Sequence, residues 1–410
     1  MQMTPTEVNN RFADRTEAVA QIASQFAIAV DAEGRFPAEA FEAMRHHRLL
    51  GIQIPGSLGG EGATVHELAE ICRILGTACA SSAMIYAMHQ IQLASLLSFS
   101  RDASWHLRFI QNVAASQLLL ASSTTEAGVG GNLRQSNCAV EENEGRIRLE
   151  KNAPIISYGA QADAILVTSR RSPDATAQDQ VLVVLERANY SLEKTASWDA
   201  FGMRGTCSDG YILRAEARAE QVLPASFSEI AAESMQVVSH ILWTSVWFGI
   251  ACEATTRVRD YLRGAARRVG ETTPPGVLRL VEIQMLLQST KAIIEDVIHQ
   301  HAYEKARPDR RTSSAFSGLV NNVKIVVSEN VIKILNESLM AIGVSAYSNA
   351  SQFSLCRLVR DAYSSVLMIS NDRIRLNNAS LALLAAHPVS FAIEPRDGPY
   401  SRKDRVGDQP

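Results

Sequence analysis

The chain has 410 residues, 46% of them hydrophobic and 20% charged, with a formal net charge of −3. That size and apolar share supply buried cores for two or three domains, and the near-neutral balance points away from nucleic acid or an anionic membrane as partner. The six cysteines contain no CxxC pair, which argues against a disulfide framework or a zinc site.

At the N-terminus, the apolar run after Ala18 is broken by Gln21 and Gln25 and followed by Asp31, so it does not read as a secretory leader. No run approaches the ~20 apolar residues of a membrane span, and the expectation is a soluble cytoplasmic protein. Thr64-Val65-His66-Glu67 is a capping-box pattern that predicts a helix start. Leu68, Ile71, Cys72 and Leu75 continue it, and the run from Met84 to Leu97 reads as a largely buried helix. Residues 1–118 are therefore read as a helical domain.

The period then changes. Residues 122–132, Ser-Ser-Thr-Thr-Glu-Ala-Gly-Val-Gly-Gly-Asn, form a loop in which Thr124, Thr125, Gly128, Gly130 and Gly131 gather hydroxyls and open backbone N–H groups. Such a turn suits the approach of a planar cofactor or its phosphates. Cys138 to Val140, a polar turn over 141–145 and Ile147 alternating with Leu149 predict a hairpin, and Ala164 to Val167 and Val181 to Leu185 predict strands. This is the central β domain, residues 119–226. From Ser226 the helical period returns, with Gly and Pro nearly absent from 231–263 and 279–306, predicting long antiparallel helices joined through 270–276 in a domain spanning 227–390. Residues 391–410 read as a disordered polar tail.

Four segments recur in a known order: Gly51 to Gly62, Thr124 to Gly131, Gly202-Met203-Arg204-Gly205-Thr206-Cys207-Ser208, and Arg360-Asp361-Ala362. Together they resemble the acyl-CoA dehydrogenase superfamily over roughly residues 35–385. The resemblance implies an α+β, mostly α fold: an N-terminal helical domain, a small central β-barrel and a C-terminal four-helix bundle. It also implies FAD as cofactor and a dimer or tetramer, with an acyl thioester on CoA or an acyl carrier protein as partner.

Carried over position by position, the resemblance puts Thr124, Thr125, Gly130 and Gly131 at the flavin ring, with Ile155 and Ser157 standing for an aromatic shield and the hydroxyl at flavin N5. It assigns Arg267 and Gly343 to the nucleotide half of the cofactor, with Arg267 reaching across from a neighbouring subunit, and Asn371 to a further cofactor contact. Gly131 and His89 face the substrate. The usual catalytic Glu falls on Ile369, which cannot accept a proton, and an alternative base site on the first bundle helix falls on Ser239. His240 then reads either as a relocated base or as a core histidine, Asp372 as a base or a solvated charge, and His89 as a residue steadying an oxygen adduct or a structural one. Three functions follow: a thioester dehydrogenase with a moved base, placed first on family frequency; a flavin monooxygenase of the same fold; or a non-catalytic subunit in a hetero-oligomer with a paralogue.

Overall fold

The structure is a computed structural model and describes residues 11–100, 104–130, 132–269, 274, 276–306 and 314–382. Five helices come first: α1 Ala13–Glu33, α2 Ala38–His46, α3 Val65–Ala78, α4 Ala80–Phe99 and α5 Ser104–Ser116. The Thr64 hydroxyl accepts from the Glu67 N–H while the Glu67 carboxylate accepts from the Thr64 N–H at 2.8 Å, closing the predicted capping box at the head of α3. α4 is buried on nearly every face, with His89, Gln90 and Gln92 buried among its apolar residues.

Seven strands follow: β1 Leu120–Ser123, β2 Glu141–Asn143, β3 Arg146–Ile156, β4 Ala164–Arg170, β5 Gln180–Glu186, β6 Tyr190–Ala196 and β7 Asp209–Arg218. They form a three-stranded sheet, β1-β4-β5, and a four-stranded antiparallel sheet, β2-β3-β7-β6. The predicted hairpin is present but tighter. Its turn is Glu144-Gly145, both at positive φ, so residues 141–143 are strand rather than turn. Two such residues match the right-handed twist of the flanking strands.

The last region comprises α6 Phe227–Ile230, α7 Gln236–Val269, α8 Val277–Lys305, α9 Ser314–Ile342, α10 Val344–Tyr347, α11 Cys356–Ala362, α12 Ser364–Leu367 and α13 Asn371–Ala382. α7 packs on α3 and α4 on one side and on α8 and α9 on the other. The stretch Phe227–Arg267 is long and apolar enough for a membrane span, contrary to the sequence reading, but 78% of its most apolar window is buried inside the fold. Its apolar surface serves the protein core. The predicted tail 391–410 and residues 270–273 of the predicted connection lie outside the described residues, as does Gly131.

Candidate active site

β1 delivers the chain from the three-stranded sheet into the loop Thr124–Gly130. Glu126 turns inward there: its carboxylate accepts from the N–H groups of Asn137 (3.0 Å) and Cys138 (2.7 Å) and from the Ser136 hydroxyl (2.6 Å). The Lys151 ammonium stands 3.7 Å from that carboxylate and donates to the Thr168 carbonyl (2.6 Å) and hydroxyl (2.8 Å). Lys151 occupies an inward register position of β3 between Leu149 and Ala153, and burial pulls its pKa down. A buried charge persists only when its partners are all in place, so this cluster fixes the root of the loop.

The loop is joined to the end of β3. Ala127 N–H donates to the Asn152 carbonyl at 3.0 Å, and the Thr125 hydroxyl to the Ile155 carbonyl at 2.9 Å. Pairing of β3 with β7 shifts register between Ala153 and Ile156, an irregularity that re-aims the side chains around it. Ile155 is left 41% exposed and Ser157 half-buried. Thr125, Ile155 and Ser157 thus lie on touching segments. Gly130, at φ +60°, has nothing within 4 Å of where a Cβ would stand, so the loop presents open backbone there.

Behind Ser157 lies the turn Met203–Ser208. The Ser157 hydroxyl is 2.8 Å from that of Ser208, which is 2.8 Å from that of Thr206. Met203 and Cys207 both adopt left-handed backbone, and the Met203 N–H donates to Asp361 at 2.7 Å. Burial raises the Asp361 carboxyl to about 6, against the opposing pull of Arg357. Arg204 donates to the Asp31 carbonyl at 2.7 Å, and Arg360 pairs with the Asp31 carboxylate. A Cβ on Gly202 would stand 2.2 Å from the Arg360 carbonyl, so only glycine permits this approach. The turn is therefore tied to α1 and to α11 at once.

The bundle closes on the same loop from the opposite side. Arg373 donates to the Gly130 carbonyl at 3.1 Å, bringing the start of α13 to the glycine turn. Just before it, Ile369 breaks the chain between α12 and α13 with a φ of 52°, a left-handed conformation that a β-branched residue rarely adopts. Its carbonyl accepts from the buried Lys324 ammonium at 2.6 Å, and Lys324 also donates to the Asn371 amide oxygen at 2.7 Å. The Asn371 amide nitrogen then donates to Ser328 at 3.0 Å. Burial and the Arg375 charge lower Lys324 to about 8. Lys324 was not anticipated from the sequence; its signal is a single cation among Val320, Val323 and Val327.

The other expected residues fall differently. His89 is fully buried: its Nδ1 accepts from the Leu120 N–H at 3.0 Å, so Nε2 carries the proton to the Leu50 carbonyl at 2.8 Å. Burial lowers it to about 4. Both nitrogens are spent on backbone, and a substrate or oxygen contact has no atom left to use. His240 is likewise buried and held neutral. Its Nδ1 donates to the Val320 carbonyl at 3.0 Å, while burial and nearby Lys324 lower it to about 4. Asp372 has a side chain 89% exposed and pairs with Arg375. Arg267 is exposed near the end of α7, 27 residues beyond His240, or roughly 40 Å along a helix. Gly343 lies at that end too, since Gly276 approaches both Leu262 and Ala341. Neither reaches the ring-side cluster of its own chain.

Thr125, Ile155, Ser157 and Gly130 suit one edge and one face of a planar heteroaromatic ring: hydroxyls, open backbone and an exposed apolar side chain lie on adjoining segments. The donor set fits a flavin ring.

Comparison with known proteins agrees. Residues 6–105 match the family model described as acyl-CoA dehydrogenase, N-terminal domain. The amino sugar nitrososynthase DnmZ of Streptomyces peucetius is 25% identical over 81% of this chain and 82% of its own length. A probable FMNH2-dependent monooxygenase, SfnC of Pseudomonas putida, is 24% identical over 81% and 86%. The cyclohex-1-ene-1-carbonyl-CoA dehydrogenase of Geobacter metallireducens is 23% identical over 87% and 93%. In fold, the FMN-bound TdsC of Paenibacillus sp. A11-2 superposes with a TM-score of 0.81 at 20% identity, covering 92% of this chain and 98% of that one. The N-terminal segment thus matches the acyl-CoA dehydrogenase N-terminal domain family, and the chain has the fold of acyl-CoA dehydrogenase-like flavoproteins, with isoleucine where the resemblance puts the base.

Proposed function

We propose that the protein is a flavin-dependent monooxygenase that takes up reduced FMN and oxidises a nitrogen or sulfur atom of a small organic substrate. The observation that carries this reading is the bundle side of the cleft. Desaturation of an acyl thioester needs a base within reach of the α-proton and with a pKa near the working pH. The position for it holds Ile369, whose carbonyl is occupied by the Lys324 ammonium. His240 is held neutral with its pKa at about 4, and Asp372 stands in solvent. Reduced flavin, when bound, supplies the electrons with which oxygen is activated, and no substrate proton need be removed first. The chain's own part is to orient the ring through Thr125, Gly130 and Ser157 and to cover it with Ile155. The nitrososynthase and monooxygenase relatives support the reading, and the dehydrogenase relative supports its rival.

FMN is favoured over FAD by the FMNH2-dependent and FMN-bound relatives; Arg267 and Gly343 stand at the far end of the bundle, away from the ring-side cluster of their own chain. The same end of the bundle exposes Leu278, Val281 and Met285 on α8 and Met340, Val344 and Tyr347 beyond it. Spacings of three, four and seven residues put the α8 set on one helical face, while Met340 lies in the last turn of α9 and Val344 and Tyr347 lie on α10. We propose that a second copy covers this face, so that Arg267 and Gly343 belong to a subunit boundary. Sedimentation at micromolar concentration tests that: a dimer or tetramer is expected, and a monomer contradicts it. For the activity, the purified protein supplied with reduced FMN in air is expected to consume oxygen in step with an amine or organosulfur substrate. Anaerobic bleaching of bound flavin by an acyl thioester would overturn the proposal in favour of dehydrogenation.

A further inference from the structure

The hydroxyls behind Ser157 have a direction. Thr206 Oγ1 lies 2.8 Å from the Met203 carbonyl, Ser208 Oγ lies 2.8 Å from Thr206 Oγ1, and Ser157 Oγ lies 2.8 Å from Ser208 Oγ. A carbonyl only accepts, and a hydroxyl has one hydrogen to give. Counted outward from Met203, Thr206 donates to the carbonyl, Ser208 to Thr206 and Ser157 to Ser208. Thr206 and Ser208 are buried, at 3% and 6% exposure, so no solvent competes for their hydrogens. Met203 itself is held by Asp361. Each hydrogen in the chain is used toward the interior, and half-buried Ser157 has only lone pairs left for the cleft.

We infer that Thr206 and Ser208 are positioning residues that make Ser157 an acceptor-only hydroxyl, so that the site selects the reduced, N–H-bearing form of flavin over the oxidised form. The inference rests on the proposed placement of the flavin N5 edge against Ser157. Oxidised flavin has a bare acceptor at N5, and two lone pairs facing each other leave both unsatisfied, which disfavours that form. Two-electron reduction adds a hydrogen at N5, which Ser157 is set to accept. The opposite arrangement is chemically defined. The Met203 carbonyl also receives the Trp198 indole N–H and the Thr206 N–H, each at 3.1 Å. Were the Thr206 hydrogen turned to Ser208 instead, the chain would run outward and Ser157 would favour oxidised flavin.

Dissociation constants for oxidised FMN and for anaerobically reduced FMN decide between them. The wild type is expected to bind the reduced form more tightly. Thr206→Val and Ser208→Ala, which free Ser157 to donate, are each expected to lower the oxidised-to-reduced ratio of dissociation constants about tenfold, or about 30 mV for a two-electron couple. Thr206→Ser, which restores the hydroxyl, is expected to restore the ratio, and in a Ser157→Ala background Thr206→Val is expected to change it no further. A wild-type preference for oxidised FMN, or a ratio that is the same in every folded variant, overturns the inference while leaving the flavin assignment in place. A wild-type protein that takes neither form of FMN, nor FAD, removes the flavin assignment and this inference with it.

Discussion

The two walls of the candidate site offer different chemistry. On the β wall, the contacts are hydroxyls and backbone: Thr125 to the Ile155 carbonyl, Ser157 to Ser208, and the open turn at Gly130. On the bundle wall, Ile369 stands where the resemblance puts a carboxylate, and the polar groups beside it, Lys324, Asn371 and Ser328, are used on one another and on the Ile369 carbonyl. The difference separates groups that can hold a planar ring from groups that could move a substrate proton. Under the proposed monooxygenase reading, main chain and short hydroxyls hold the ring, and no proton-abstracting group is required on the bundle wall.

If the β wall is the ring cradle, its buried root is the most sensitive point. Glu126→Leu leaves the Lys151 ammonium without its carboxylate and the Asn137 and Cys138 N–H groups without an acceptor. A loss of about 3–5 kcal/mol in chemical denaturation is expected, with loss of flavin binding. A variant of unchanged stability would show that the loop does not depend on this anchor.

On the bundle wall the expected loss is similar in kind but reversible by design. Asn371→Leu leaves the buried Lys324 ammonium with the Ile369 carbonyl but without its side-chain acceptor and is expected to cost about 3 kcal/mol, while the double variant with Lys324→Met is expected to recover most of it. Additive losses in that cycle would contradict the coupling of Lys324 to Asn371.

Acid sensitivity comes next. The buried imidazoles His89 and His240 stand at about 4 in the fold, against 6.5 ordinarily. The folded state therefore binds fewer protons, and the stability they contribute is present above about pH 6.5 and lost as pH falls toward 4. Asp361 acts with the opposite sign: raised to about 6, it favours the fold below the usual carboxyl range and loses that contribution as pH rises through 6. Thermal midpoints should thus fall from pH 6.5 to 4, and Asp361→Asn should steepen the fall. A slope unchanged in His89→Asn would contradict the assignment. The smallest effect belongs to Asp372→Ala, within about 0.5 kcal/mol and without loss of turnover, because its side chain is already in solvent.

Much of this arrangement was legible in the residues themselves. The capping box at Thr64, the buried run of α4, the change to strand period after 118 and the return of long helices each follow from local chemistry, and each stands in the fold. The ordered motifs named the superfamily. What local chemistry misjudged was tertiary in origin. Glu144-Gly145 makes a two-residue turn only because β3 is held by β7. Lys151 reads as a solvated charge until its same-face neighbour Leu149 is seen to face inward, and Lys324 acquires its acceptors from Ile369 and Asn371, distant in sequence. His89 and His240 offered titratable groups in sequence; in the fold, backbone carbonyls and an N–H claim them.

Supplying the protein with reduced FMN under isotopically labelled oxygen, and weighing the product of an amine or organosulfur substrate, tests the central claim most directly. One labelled oxygen atom in the product, with the other released as water, is the predicted result. A product free of label, together with α,β-desaturation of an acyl thioester by the oxidised flavoprotein without oxygen, would contradict it.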